Sequence, residues 1–283
     1  MKSIWCLFLC FFIALSCRKA QEIDIVLPSY SNKLMVECYL EPGQGYRLLL
    51  TESVSYLEPE IARPVFDALV TITYKNKMDT LLLNNLLLNI SDSVKVYNFI
   101  NSKVVVPEDY ESEFQLYIKD NKGRVVTGTT KIAPKLNLDS AKVMLENGER
   151  SVFAYIDDDQ DKLLHYRFMV FTGSNKGSET QSSITDNQQL KFSPFIFGNK
   201  EQIIFKSKSD FFLDKDGKLI NQVAIRAMVI NKDYYDFLTS VRNAKSANGN
   251  PFAQPASILS NINGGVGIFT GFSPVYKQLK VAN

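Results

Sequence analysis

A mainly β fold, built as two β-sandwich-like lobes of which the first is Ig-like, with one short helix near the C-terminus, is what this sequence predicts. Three observations lead there. Apolar residues recur mostly at every second position, the mark of half-buried strands. Residues suited to tight or left-handed turns separate these segments. A helical stripe occurs late in the chain.

The first clear strand has Leu34, Val36, Cys38 and Leu40 on one face and Lys33, Met35, Glu37 and Tyr39 on the other. Pro42-Gly43 then turns the chain into a strand over Tyr46 to Thr51, and another spans Ala68 to Tyr74. Phe114, Leu116 and Ile118 alternate with Glu113, Gln115, Tyr117 and Lys119, and Asn121-Lys122-Gly123 leads to Val125 to Lys131. Ala133-Pro134 reads as the joint between the halves. Beyond it lie strands at Val152 to Ile156, Leu163 to Phe171, Gln202 to Lys206 and Val223 to Ile230, with turns at Asn147-Gly148 and Asp216-Gly217. Tyr234, Phe237, Leu238 and Val241 then recur at helical spacing, which predicts a helix from about Tyr234 to Lys245 with Asp233 as its N-cap. Val266 to Thr270 and Val275 to Val281 follow as closing strands. Each half holds too many short strands for a simple open sheet, so a pair of sandwiches is the economical architecture. The expected domains are a signal peptide over 1–16, an N-terminal Ig-like β domain over 17–134, and a C-terminal β-rich domain over 135–283.

Composition narrows the chemistry. The 283 residues are 45% hydrophobic and 22% charged, a globular mixture. With 32 Lys plus Arg against 30 Asp plus Glu, the net charge of +2 gives no reason to seek nucleic acid. A single His in the chain excludes a multi-His zinc site.

The N-terminus carries an address. After Lys2, an unbroken run of twelve apolar residues, Ile4 to Leu15, precedes Ser16-Cys17. That is too short for a membrane-spanning helix, which needs ~20 residues, and fits the core of a signal peptide. Ala14-Leu15-Ser16-Cys17 resembles a bacterial lipobox, with Cys17 lipidated and the first residue of the mature chain. Ordinary secretion without lipid is the alternative. The lipobox reading leaves Cys38 as the one cysteine of the mature protein and so admits no internal disulfide.

The remaining constellations read as structural. Asp157-Asp158-Asp159-Gln160-Asp161 has the oxygens for calcium but neither the EF-hand spacing nor its distal Glu, so a turn is expected and no metal or other cofactor is assigned. His165 and Cys38 occupy strands without a nucleophile motif around them, and core packing is expected of both. Gly264-Gly265-Val266-Gly267 lacks the Lys and Ser or Thr of a phosphate loop and reads as a tight turn before a strand. Phe192, Phe195, Phe197, Phe211 and Phe212 crowd turn-rich segments and are the candidate contacts for a ligand or partner.

The order Cys17, Glu22-Ile23-Asp24, Leu27-Pro28, Leu34 through Gly43, Pro64 through Val70, Asn250-Pro251-Phe252, Ser260-Asn261-Ile262 and Gly264 through Phe269 resembles domain-of-unknown-function family 4249 (DUF4249). The resemblance covers nearly all of the expected mature chain. It implies a lipoprotein of the Bacteroidota outer membrane, often found beside TonB-dependent receptors, and supplies no catalytic residue. Arg18 and Lys19 follow Cys17 where some such lipoproteins carry an acidic surface-export stretch. The expected function is therefore that of a lipid-anchored cell-envelope protein, not an enzyme. It would serve as a binding or accessory subunit of an outer-membrane protein such as a TonB-dependent receptor, and direct glycan or peptide binding is the alternative.

Overall fold

The computed structural model describes residues 31–55, 63–84, 97–157, 162–174, 177–186, 191–192, 202–207, 220, 222–248 and 257–281. These form a mainly β fold with one helix among the described residues. The account below concerns the compact unit Asn32–Asn283.

The first lobe is a single continuous sheet. Its strands are β1 (Leu34–Leu40), β2 (Gly45–Glu52), β3 (Arg63–Pro64), β4 (Ala68–Tyr74), β5 (Lys77–Leu83), β6 (Phe99–Val105), β7 (Phe114–Asp120) and β8 (Val125–Thr130). Two late strands, β16 (Ile262–Asn263) and β17 (Val266–Gly271), complete it in the order β16-β8-β7-β4-β5-β6-β2-β1-β17, with β3 pairing β2 off this path. The ends nearly meet. Ile132, just past β8, forms a parallel bridge to Gly271, and Ala133 N donates to Gly271 O at 2.9 Å. The sheet therefore curls into an almost closed barrel-like sandwich around Val36, Leu48, Ile72, Phe114, Ile118 and Phe269, all buried. An Ig-like lobe would divide its strands between two sheets; here one sheet bends round instead.

Turn chemistry sets the hairpins. Asn147 and Gly148 both have positive φ, at 53° and 81°, the pairing that a two-residue hairpin with strand-matching twist requires. Lys75 and Asn76 do the same between β4 and β5, at 46° and 62°.

The second lobe is a sandwich of two four-stranded sheets. One runs β13-β14-β10-β9 and the other β12-β11-β15-β18. The strands are β9 (Leu138–Glu146), β10 (Glu149–Asp157), β11 (His165–Ser174), β12 (Gly177–Asp186), β13 (Lys191–Phe192), β14 (Gln202–Lys206), β15 (Gln222–Ile230) and β18 (Val275–Lys280). Val152, Ala154 and Ile156 of β10 face Tyr166, Phe168 and Val170 of β11, and Phe168 stacks on Phe205 at 4.0 Å.

Between β15 and β16 lies α1 (Lys232–Asn248), longer at both ends than its apolar stripe predicts. Its N-terminal hydrogen bonds run from Tyr234 N and Tyr235 N to Asn231 O, so Asp233 sits inside the first turn rather than capping it. The carboxylate there still favours the positive end of the helix dipole. Tyr234 of α1, Met228 and Ile230 of β15, and Ile268 and Phe272 from the barrel form a third buried core. The seam expected at Ala133-Pro134 is thus crossed again late in the chain: β16 and β17, from the 135–283 half, belong to the first sheet. The reason is edge satisfaction, since β1 and β8 would otherwise leave bare backbone donors and acceptors.

Candidate functional site at the seam of the two lobes

Inward Leu34, Val36, Cys38 and Leu40 oblige the alternate residues of β1 to face out of the barrel, and Glu37 and Tyr39 do so toward the third core. Glu41 follows directly. In β2, Arg47 lies between inward Tyr46 and Leu48; in β15, Arg226 lies between inward Ile225 and Ala227. These two arginines, one from each lobe, meet at one oxygen. Arg47 Nη2 donates to Glu41 Oε2 at 3.2 Å and Arg226 Nη2 donates to the same atom at 2.8 Å. Glu41 is largely shielded, with 11% of its side chain exposed, against 33% for Arg47 and 18% for Arg226.

Aromatic rings hold the guanidiniums flat. Arg47 lies 5.3 Å over the Tyr97 ring, and Arg226 lies 5.4 Å from Phe272 and 5.1 Å from Tyr276, its cross-strand partner. Tyr234 stacks on Phe272 at 5.9 Å and meets Tyr39 at 5.7 Å. Arg167 donates to the Tyr234 hydroxyl, and Tyr39 OH donates to Glu37 Oε2 at 3.2 Å. Burial raises the Tyr39 phenol above its ordinary range, and the neighbouring Tyr234 and Glu37 add to this. Burial also raises Tyr234, Tyr97 and Tyr276, with nearby arginines opposing it in each case. These phenols stay protonated at neutral pH, so the seam offers donors and cations.

A second surface lies on the barrel's outer wall. Inward Val70 and Ile72 on β4 and Leu81 on β5 send Leu69, Met78 and Leu82 outward, and these are 51%, 65% and 65% exposed. The registers Leu69↔Lys119, Val70↔Leu81 and Leu82↔Ile100 place Leu69, Leu82 and Ile100 in one row across β4, β5 and β6, with Tyr117 of β7 alongside. An apolar strip of this kind is a binding-surface signature when its members adjoin.

The residues singled out from the sequence fall elsewhere. Cys38 is fully buried inside the barrel, where burial drives its thiol well above the usual range and away from nucleophilic use. His165 is 8% exposed at the start of β11, its ring 4.5 Å from Tyr235. Asp157 ends β10, where its Oδ2 accepts from Asn137 Nδ2 at 2.8 Å; Asp158, Asp159, Gln160 and Asp161 lie outside the described residues. Among the described residues, no three potential metal-binding side chains gather and no helix is long and apolar enough to cross a membrane. Phe192 belongs to the backbone of β13, opposite Ile203, while Phe195, Phe197, Phe211 and Phe212 lie outside the described residues, as does Cys17. Gly264 has a φ of 77° and turns the chain into β17, as its motif suggested.

Sequence reasoning missed the arginine pair because Arg47 and Arg226 are distant in the chain. A signal was present: Arg226 interrupts the otherwise apolar Val223 to Ile230 segment, and a cation in a half-buried strand needs a partner.

A family profile described as "Domain of unknown function (DUF4249)" matches residues 20–278. A comparison with curated proteins returns no match. Among solved structures, the chain is similar to one described as "Cytokine receptor complex - Crystal form 1A", at 8% identity and a TM-score of 0.25, covering 71% of this chain and 86% of that one. It is also similar to a "Biofilm associated protein - B domain", at 8% identity and a TM-score of 0.17, covering 86% of this chain and 85% of that one.

Proposed function

The chain belongs to the DUF4249 family, and from that premise we propose that it is a lipid-anchored cell-envelope protein, non-catalytic, acting as a binding or accessory subunit of an outer-membrane protein such as a TonB-dependent receptor. The observation that carries the binding role is the strip Leu69, Leu82 and Ile100 on the outer barrel wall, with Tyr117 alongside. Large apolar side chains held outward on a rigid, hydrogen-bonded wall lose little conformational entropy when a partner covers them. Lipidation at Cys17 would hold the module at a membrane and leave its strands free for that partner.

Two measurements test the reading separately. Cys17→Ala should release the protein from the membrane fraction, and a variant that stays as firmly bound as the parent removes the anchor from the proposal. For the partner, the full chain is captured from membranes in mild detergent. The parent should retain an outer-membrane protein that a Leu69→Glu, Leu82→Glu double variant loses. Outward substitutions of this sort change folding by about 0.5 kcal/mol each or less, so the variant should keep its melting temperature. Equal capture by both, or no envelope protein on either, counts against an accessory role through this wall.

A further inference from the structure

We propose that Arg47 and Arg226 form a binding site for a carboxylate carried next to a flat apolar group. The proposal does not rest on the accessory-subunit reading, although its site borders the apolar strip, since Arg47 pairs with Ile100 across β2 and β6. Two guanidiniums converge on a single oxygen, Glu41 Oε2, so two positive charges face one negative charge. The adjoining charges do not alter that surplus. Arg167 adds one positive charge and Glu37 one negative, and these cancel, since their hydrogen bonds to the neutral Tyr234 and Tyr39 hydroxyls neutralise neither.

The donor inventory points the same way. Arg47 Nε and Arg226 Nε are both screened from solvent and have no acceptor among the described residues. Buried donors in folded proteins nearly always find a partner, and two orphaned N–H groups on the two arginines of one cluster leave it short of an acceptor, one that reaches them by displacing the side chains that screen them. Geometry and charge favour a carboxylate for it. The guanidinium edge presents N–H groups in a plane that matches a carboxylate, and the surplus is one unit, which a carboxylate neutralises and a phosphate dianion would exceed. The stacked rings explain the apolar part. Tyr97, Phe272 and Tyr276 lie against the guanidiniums, and Tyr276, 61% exposed, extends an open aromatic shelf beside Arg226. Glu41 then acts as a built-in competitor, holding the arginines in position and sharing them with the ligand.

The test is calorimetric titration of the full chain, at constant ionic strength, with benzoate, benzamide, inorganic phosphate and a tripeptide ending in phenylalanine with either a free or an amidated terminus. Benzoate or the free-terminus peptide should bind saturably, and their neutral counterparts should not. Tighter binding of the peptide assigns a chain terminus as the natural ligand, and tighter binding of benzoate assigns a small aromatic acid. Arg47→Gln and Arg226→Gln should each weaken binding roughly tenfold or more, and Glu41→Gln should tighten it roughly tenfold. Because Arg226→Gln also removes a contact between the lobes, Arg226→Lys provides the folded control: it keeps the charge, loses the fork and should still weaken binding. The proposal is overturned if benzamide binds as well as benzoate, if phosphate binds more tightly than either carboxylate, if no probe saturates, or if Glu41→Gln destabilises the fold without tightening carboxylate binding.

Discussion

Asp109 gathers an unusual share of donors for a surface carboxylate. Tyr74 OH reaches its Oδ2 at 2.6 Å, Ser112 Oγ at 2.7 Å and Lys75 Nζ at 2.8 Å, while the backbone N–H groups of Glu111 and Ser112 donate to Oδ1. These bonds, that of Lys75 first, hold its carboxyl far below its ordinary value of 3.8. Glu52 is likewise lowered from 4.5, chiefly by its hydrogen bond from Lys122 and against the opposing effect of burial, with Arg124 adding to the lowering. Lowered carboxyls contribute stability that is complete above their unfolded-state values and drains as the pH falls through the folded-state values. Thermal unfolding followed from neutral pH downward should therefore show a melting temperature that falls below about pH 4.5, and Asp109→Asn should flatten the part of that fall that begins near 3.8. An unchanged profile in the variant would mean that the hydrogen bonds around Asp109 are not what the acid disrupts. Cys38 gives the opposite kind of test. Its buried, raised thiol should resist alkylation in the native protein at about pH 8, as read by peptide mass mapping, and react once denaturant opens the barrel.

At the scale of elements, β17 depends on one residue. Gly267 has a φ of 138°, and a Cβ there would lie 1.9 Å from Val36 O, inside the parallel pairing that joins β17 to β1. Gly43 also has positive φ, at 82°, but open space surrounds it. Gly267→Ala should thus lower the unfolding free energy by about 3 kcal/mol or more, while Gly43→Ala should cost only about 1 kcal/mol, the backbone share alone. Urea denaturation of the two variants separates strain from collision, and equal losses would place Gly267 among ordinary turn glycines. The same contrast shows what a local pattern can convey. Ala68–Tyr74 and Gln202–Lys206 were legible to the residue, because alternation and turn residues act over a few positions. Lys77–Leu83 was not, since Leu81, Leu82 and Leu83 run together without alternation, and the polar Gly177–Asp186 strand carries almost no apolar signal although it pairs along the whole of β11. Neither the curling of the first sheet nor the meeting of Arg47 with Arg226 was legible. Both are set by strand order, and nothing in a strand's own residues names its distant neighbour.

For the whole molecule, that strand order governs what can stand alone. Residues 32–134 hold eight strands of the first sheet, yet lack β16 and β17 and leave the edges of β1 and β8 bare. Expressed alone, this piece should unfold without a cooperative transition or should associate through those edges, and adding a peptide of residues 257–281 should restore part of the transition. A monomeric fragment with a sharp melt would show that the late strands are dispensable. The pairing of Met35 with Val266 also sets a clock. During synthesis the first lobe is drafted early but cannot be sealed until β17 arrives, after the strands β9 to β15 and α1 have appeared. For that interval it is an unfinished sheet with two sticky margins, and closure must wait on a contact between nearly opposite ends of the described chain, a topology that folds slowly. Such a chain keeps two strand edges open until its last stave is in.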